Sequence, residues 1–341
     1  MFRIKKASSL IIYCIVILFA NVKVNAQQDI LTTQHIFNKY YINPAHAGEN
    51  ISLQGSGFFR SPWTGVKNAP TTYLISIDSS IPGSPKAGIG VIGGVQSAGP
   101  FNTILGYADF AYSITLTENS NLKLGTGLGI SNYSYNGNKV DSGPIHDPAA
   151  PNTKISMMIP DVRIGIVYEA KDKLSFGLSA DNIISPFMNY GKDPKIILPK
   201  KHTNIYTYGT YIFSPWSNVK LAPTIMVSKR LDNTPVWLEG ILKGSFNNLV
   251  SAGIAYRTYL QTGESQYSST NSVSALAEVL AIKNIVIGYT FDFGIGDTNL
   301  NKGTHELFIQ YKFNWPNKIV SETIDNENSS STTSKNDDSK E

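Results

Sequence analysis

Between residues 122 and 130 the chain reads LKLGTGLGI, and its alternation is strict. Leu122, Leu124, Thr126, Leu128 and Ile130 share one parity, while Lys123, Gly125, Gly127 and Gly129 share the other. Period two is the side-chain period of a β-strand, so the stretch presents one apolar face and one face of small or polar groups. The pattern recurs in VRIGIVY (Val162, Ile164, Ile166, Tyr168), in LSFGLSA (Leu174, Phe176, Leu178, Ala180) and in HELFIQYKF (Leu307, Ile309, Tyr311, Phe313). No later apolar run reaches the ~20 residues that a membrane-spanning helix needs. The architecture expected is therefore all-β. The alternate glycines of GTGLG belong to a strand face and are not a phosphate loop.

About fourteen such segments can be counted, at 51–59, 71–79, 87–95, 101–114, 121–135, 160–169, 173–182, 203–213, 219–229, 235–243, 247–257, 271–281, 284–294 and 304–314. The odd connections include the long ones (60–70, 136–159, 183–202, 258–270 and 295–303), while 170–172, 244–246 and 282–283 are short. Long loops at one end and short turns at the other are the habit of outer-membrane barrels, and an even strand count returns both termini to the periplasmic side. Charged residues are 16% of the chain, against about 25% in an ordinary soluble domain. The expectation is a transmembrane antiparallel β-barrel of about fourteen strands, with outer-membrane lipid as its surroundings. Aromatic girdles are expected at the short-turn end (Tyr112, Tyr168, Phe213, Trp216, Phe313, Trp315) and at the long-loop end (Phe58, Phe59, Tyr133, Tyr135, Tyr256, Tyr259).

Both ends of the chain differ from the barrel. Arg3, Lys5 and Lys6 precede an apolar run from Ser9 to Ala20, and Val24-Asn25-Ala26 offers small residues for cleavage, so residues 1–26 read as a signal peptide. Cys14, the only cysteine, lies within it, which leaves the mature chain without disulfide or thiol chemistry. Cleavage removes four of the 29 basic residues and leaves the remainder balanced against 25 acidic ones, so nothing suggests nucleic acid as a partner. Residues 316–341 are polar and acidic, a composition expected to be disordered in the periplasm. Residues 27–50 precede the barrel at 51–315. Within them Ile30, Gln34, Phe37 and Tyr41 would line one face of a short helix. Asn43-Pro44 starts a turn, and Gly48 can close it at positive φ. An eight-stranded barrel is already wide enough to be filled by side chains, so fourteen strands leave room inside. This segment either plugs that space or caps the barrel from the periplasm.

Catalytic signatures are not found. None of the five histidines has the spacing that pairs metal ligands on one element, and no G-x-S-x-G elbow is present. His146-Asp147, in PIHDPAAP, is the best polar constellation and reads first as an external turn. No enzyme activity, cofactor or metal is expected.

Several stretches together resemble one family. FNKYYINPAHAG is similar to the N-terminal signature of the PorP/SprF family, on Asn43, Pro44, Ala45, Ala47 and Gly48. RSPWTGVKNAPTTYLISID is similar to its next block, on Arg60, Trp63, Gly65, Ala69, Pro70, Thr71, Thr72, Ser76 and Asp78. IPDVRIGIVYEAKDKLSFGLSADNI and VIGYTFDFGIGDTNLNKGTHELFIQYKF resemble a paired-strand block and a C-terminal pattern of the same family. Pro62 and His46 depart from the usual residues, and the acidic tail is extra. The resemblance implies an outer-membrane component of the type IX secretion and gliding machinery. Such a protein would anchor that machinery or help present secreted adhesins, with periplasmic or lipoprotein components as partners. It implies structural or partner-facing roles for Asn43, Pro44, Ala47, Gly48, Arg60, Trp63, Gly65, Pro70, Thr71 and Thr72. Arg60 and Trp63 are expected to stack and dock the first long connection. A transport barrel for a small or hydrophobic solute is the runner-up, and a lipid hydrolase a weaker third.

Overall fold

The structure is a computed structural model that describes residues 33–49, 52–66, 68–139, 154–171, 173–188, 201–232, 234–260, 271–295 and 303–313. The expected signal peptide, His146-Asp147, Trp315 and the acidic tail lie outside the described residues.

The strands are β1 (Gln54–Ser61), β2 (Thr71–Ile81), β3 (Ser84–Ala98), β4 (Phe101–Thr117), β5 (Ser120–Asn136), β6 (Lys154–Ala170), β7 (Leu174–Asp181), β8 (Asn204–Tyr211), β9 (Phe213–Trp216), β10 (Val219–Arg230), β11 (Val236–Phe246), β12 (Val250–Leu260), β13 (Asn271–Ile282), β14 (Ile285–Ile295) and β15 (Thr304–Lys312). Each pairs antiparallel with its neighbours, β15 pairs with β1 and β10 pairs with β11, so the sheet closes on itself. β8 and β9 both pair with β10 and form one wall strand broken at Ile212, which makes a fourteen-strand barrel. The β8–β10 register, continued, sets Pro223 opposite Tyr211 beside the break, and proline has no N–H to give to the ladder.

The alternation sorts the two faces. Leu128 is 70% exposed on the outer, lipid-facing surface, while Ser131 and Val167 face inward with none of their surface exposed. Connections at 82–83, 118–119, 171–173, 217–218, 247–249 and 283–284 form a short-turn rim. Asn247 and Asn248 both adopt positive φ there, in a tight turn closed by the Leu249 N–H donating to the Phe246 carbonyl at 2.9 Å. Gln54 pairs with Lys312, so both ends of the barrel lie at this rim.

Three expectations need correction. Only two of the six residues of the long-loop girdle face outward: Phe58, Tyr133 and Tyr135 are buried on the inner parity, and Tyr259 packs against an inner cluster with Trp237. Phe59 and Tyr256 do face outward, Phe59 with its ring 4.9 Å from that of Tyr73. At the short-turn end Tyr112, Phe213, Trp216 and Phe313 are exposed outward as girdle residues. β6 begins at Lys154, six residues before the expected start at Pro160. β7 pairs with β6 only from Ile164 onward, so Pro160 sits where its missing N–H breaks no β6–β7 rung. Finally, residues 33–46 do not form one helix. They make three 3₁₀ turns, Thr33–Ile36, Lys39–Tyr41 and Pro44–His46, because Asn38 and Asn43 are extended and each restarts the chain as an N-cap.

Candidate functional site

Those three turns lie inside the barrel. They touch β1, β2, β4, β5, β6, β7 and β8 on one side and β11, β14 and β15 on the other, which only a segment in the lumen can do.

Residues 38–49 sit against β1 to β8. Asn43 has none of its surface exposed. Its Oδ1 accepts from the Ala45 N–H at 2.9 Å, and its Nδ2 lies 3.1 Å from the Tyr208 hydroxyl and 3.2 Å from the Ile166 carbonyl. Pro44 occupies the first turn position, where its missing N–H costs nothing. The wall opposite is cleared by glycines. A Cβ on Gly125 would overlap the backbone of Pro44 and Ala45, one on Gly165 would overlap the Asn43 side chain, and one on Gly88 would overlap the Ala47 carbonyl. Gly48 has φ +66°, and its N–H donates to Asp78 Oδ2 at 3.1 Å. Gln54 Nε2 donates to the same carboxylate at 2.9 Å.

A buried ion pair holds the middle. Arg163 donates to Asp109 through Nε and Nη2, each at 2.6 Å, and through Nη1 to the Tyr41 carbonyl at 3.2 Å. The Tyr40 hydroxyl donates to Asp109 at 2.6 Å, and the Arg163 guanidinium lies 5.3 Å from the Tyr40 ring centre. Both charges are thus matched, and the bidentate geometry fixes where Tyr40 sits.

At the short-turn rim His46 bridges Glu49, at 2.7 Å from Nδ1, and the Tyr208 hydroxyl, at 2.6 Å from Nε2. Burial acts to raise the Glu49 carboxyl, but His46 and Lys123 outweigh it and hold it well below its ordinary value. His46, Glu49 and Glu169 come close enough together to ligate a cation. The Lys123 ammonium already spans Glu49 at 3.1 Å and Glu169 at 2.8 Å, so a cation is built into the chain at this point.

Residues 33–37 sit against the opposite wall. His35 Nε2 lies 3.0 Å from Glu239 Oε2, whose other oxygen accepts from Arg257 at 3.0 Å. The Arg257 guanidinium lies 4.8 Å from the Trp237 ring centre. Phe37 stacks on Phe308 with centroids 5.2 Å apart, over the space that Gly288 leaves.

The expected site residues separate into two groups. Asn43, Pro44, Ala47 and Gly48 belong to the plug. Arg60, Trp63, Gly65, Pro70, Thr71 and Thr72 belong to the first long connection and its flanks. Thr71 opens β2 and Thr72 is buried opposite Arg60. Arg60 pairs with Glu306 at 3.3 Å, and no Arg60–Trp63 ring contact occurs among the described residues. The tight course of the connection rests instead on backbone: Trp63 and Gly65 have φ of +53° and +90°, and the Thr64 N–H donates to the Gly303 carbonyl at 3.3 Å. Sequence reasoning missed Tyr40, Asp109, Arg163, Tyr208, Glu239 and Arg257. For all but Tyr40, which lies in the plug, the available signal was a charge or hydrogen-bonding group on the inner parity of a strand.

A closed antiparallel barrel with an internal N-terminal segment defines the class: an outer-membrane β-barrel. The family described as "Type IX secretion system membrane protein PorP/SprF" matches residues 24–311, and the chain belongs to it. No curated protein matches. Among solved structures, the CymD monoaromatic hydrocarbon channel is similar at 10% identity and a TM-score of 0.52, over 86% of this chain and 95% of that one. The Acinetobacter baumannii outer membrane protein Omp33 is similar at 6% identity and a TM-score of 0.48, over 77% and 98%. A Pseudomonas aeruginosa FadL homologue is similar at 11% identity and a TM-score of 0.47, over 80% and 93%. At such identities the likeness to CymD concerns the fold alone.

Proposed function

We propose that this protein is a non-enzymatic outer-membrane component of the type IX secretion and gliding machinery. It anchors that machinery or helps to present secreted adhesins, and both mature termini and the acidic tail lie in the periplasm. The observation that carries the reading is where the family-like stretches meet. The Asn43–Gly48 signature is the plug, and the second block reaches it through Asp78. The paired-strand block reaches it through Arg163, Gly165 and Ser179, and the C-terminal block through Gly288 and Phe308. Residues that set the family apart are thus used to hold the lumen occupied, which suits an anchor better than a pore.

The second reading, passage of a small or hydrophobic solute, draws on the fold shared with a hydrocarbon channel. Co-purification from detergent-solubilised outer membrane, together with conductance in planar bilayers, separates the two. The proposal expects recovery of periplasmic or lipoprotein secretion components and a closed barrel. A barrel that conducts or takes up solute and recovers no such component would overturn it.

A further inference from the structure

Lysines gather on the inner parity at the short-turn mouth of the barrel: Lys123 on β5, Lys220 on β10, Lys243 on β11 and Lys312 on β15, with Lys39 on the plug. Lys220 lies opposite Ser245, on the face that β11 shares with buried Glu239, and Lys312 lies opposite buried Gln54. Two of these cations have carboxylates. Lys123 spans Glu49 and Glu169, and Lys243 lies 2.9 Å from Glu278. Lys39, Lys220 and Lys312 make no ion pair among the described residues.

The Lys39 ammonium donates to Thr210 Oγ1 at 3.2 Å, and Thr210 meets Thr224 at 2.9 Å, so the charge stands over the wall of β8 and β10. Burial lowers its pKa, Lys123 and Lys243 lower it further, and Glu49 and Glu169 offset this only in part. An arriving carboxylate would favour the charged form. Along the inner face of β10 the wall opens from buried Met226, through half-buried Thr224 and Ala222, to exposed Lys220. Lys220 and Thr224 are four residues apart, about 13 Å at the rise of a strand. Two cations at about that spacing thus face the mouth without carboxylates.

The same chain supplies acids at matching intervals. Glu322 precedes Asp325 by three residues and Glu327 by five, about 10 and 17 Å in an extended segment. The chain also leaves the barrel at this mouth, where Lys312 ends β15. Residues 313–322 reach at most about 33–36 Å. Fourteen strands about 4.8 Å apart and tilted about 40° make a mouth about 28 Å across, so Glu322 can reach β10. Lipid headgroups match less well, because inner-parity lysines point into the lumen. A free anion lacks the tether that raises the local concentration of a linked group to about millimolar.

We propose that the acidic segment 321–327 of this chain docks in the short-turn mouth, with its carboxylates on Lys39 and Lys220. The proposal rests on the closed barrel and is independent of the secretion role.

The test is zero-length carbodiimide coupling of the full chain, one barrel per phosphatidylcholine nanodisc, read by peptide mass spectrometry. Coupling needs a carboxylate and an amine in contact. It should join Glu322, Asp325 or Glu327 to Lys39 or Lys220 in preference to the exposed turn lysines Lys171, Lys173 and Lys283. About 1 M salt, which shortens the Debye length to about 3 Å, should cut the yield at least about threefold. Lys39→Gln combined with Lys220→Gln should speed cleavage after Glu322 and Glu327 by a glutamate-specific protease about fivefold. Coupling confined to the turn lysines, or no coupling of the segment, would overturn the proposal. So would cleavage that the double variant leaves unchanged while its heat-modifiable migration shows a folded barrel. Loss of coupling in phosphatidylglycerol nanodiscs would assign the lysines to lipid headgroups and overturn it as well.

Discussion

The two halves of the plug are held by different physics. Residues 43–48 fit against β3 to β8 chiefly by shape: glycines at 88 and 125 let backbone meet backbone, Gly165 clears room for the Asn43 side chain, and the charged contacts of this half, Asp109–Arg163 at Tyr40 and Glu49–Lys123 beside His46, flank that seat. Residues 33–37 are held against β11 to β15 by charge and ring stacking, through His35, Glu239, Arg257 and Phe37. A seat built by shape is sensitive to one added methyl group. A seat built by charge tolerates volume changes but not the loss of a partner. The comparison therefore predicts opposite sensitivities in the two halves of one short segment.

The largest effect is expected at the charged seat. Glu239→Ala leaves Arg257 buried without its main partner, and removing one member of a buried pair costs about 3–5 kcal/mol. Hydrogen exchange should then speed up at residues 33–37 and on β11 and β12, while residues 43–48 stay protected. Protection lost equally along the whole plug would erase the distinction.

Gly125→Val should do the reverse. Overpacking costs about 1–3 kcal/mol, here spent on displacing Pro44 and Ala45. Exchange should rise at residues 43–48 and little at 33–37, and planar bilayers should show higher conductance than with the unaltered chain. Leu128→Arg, three residues along the same strand on the lipid face, should instead impair assembly, by about 2–4 kcal/mol near the bilayer midplane. Normal heat-modifiable folding of that variant would contradict the assigned faces.

The smallest effect concerns pH. Because the folded protein holds Glu49 well below its ordinary value of 4.5, its contribution is present above that value and is lost as pH falls through the depressed one. Proteolysis between residues 49 and 53 should therefore increase only in strongly acidic solution. Glu49→Gln should remove that dependence.

The barrel was legible because period two survives in single strands. LKLGTGLGI gives its own faces without any knowledge of its neighbours. The aromatic girdle failed where the argument used only position along a strand. Tyr133 and Tyr135 stand at a strand end but on the glycine parity, and that parity places them inside. The plug was legible as a turn, yet its seat was not. Arg163 meets Asp109 across 54 residues and Asn43 meets Tyr208 across 165, and such pairs exist only once closure and register are known. Arg60 shows the same limit: its partner is Glu306, brought alongside by the pairing of the first strand with the last.

The central claim, that residues 33–49 occupy the lumen and do not cap it from outside, is most directly tested by a photo-crosslinker at a single plug position. Benzoylphenylalanine in place of Phe37, activated in the folded protein in native outer membrane, should join to peptides of 285–295 and 304–312. Crosslinks confined to the short-turn connections or to other proteins would contradict it.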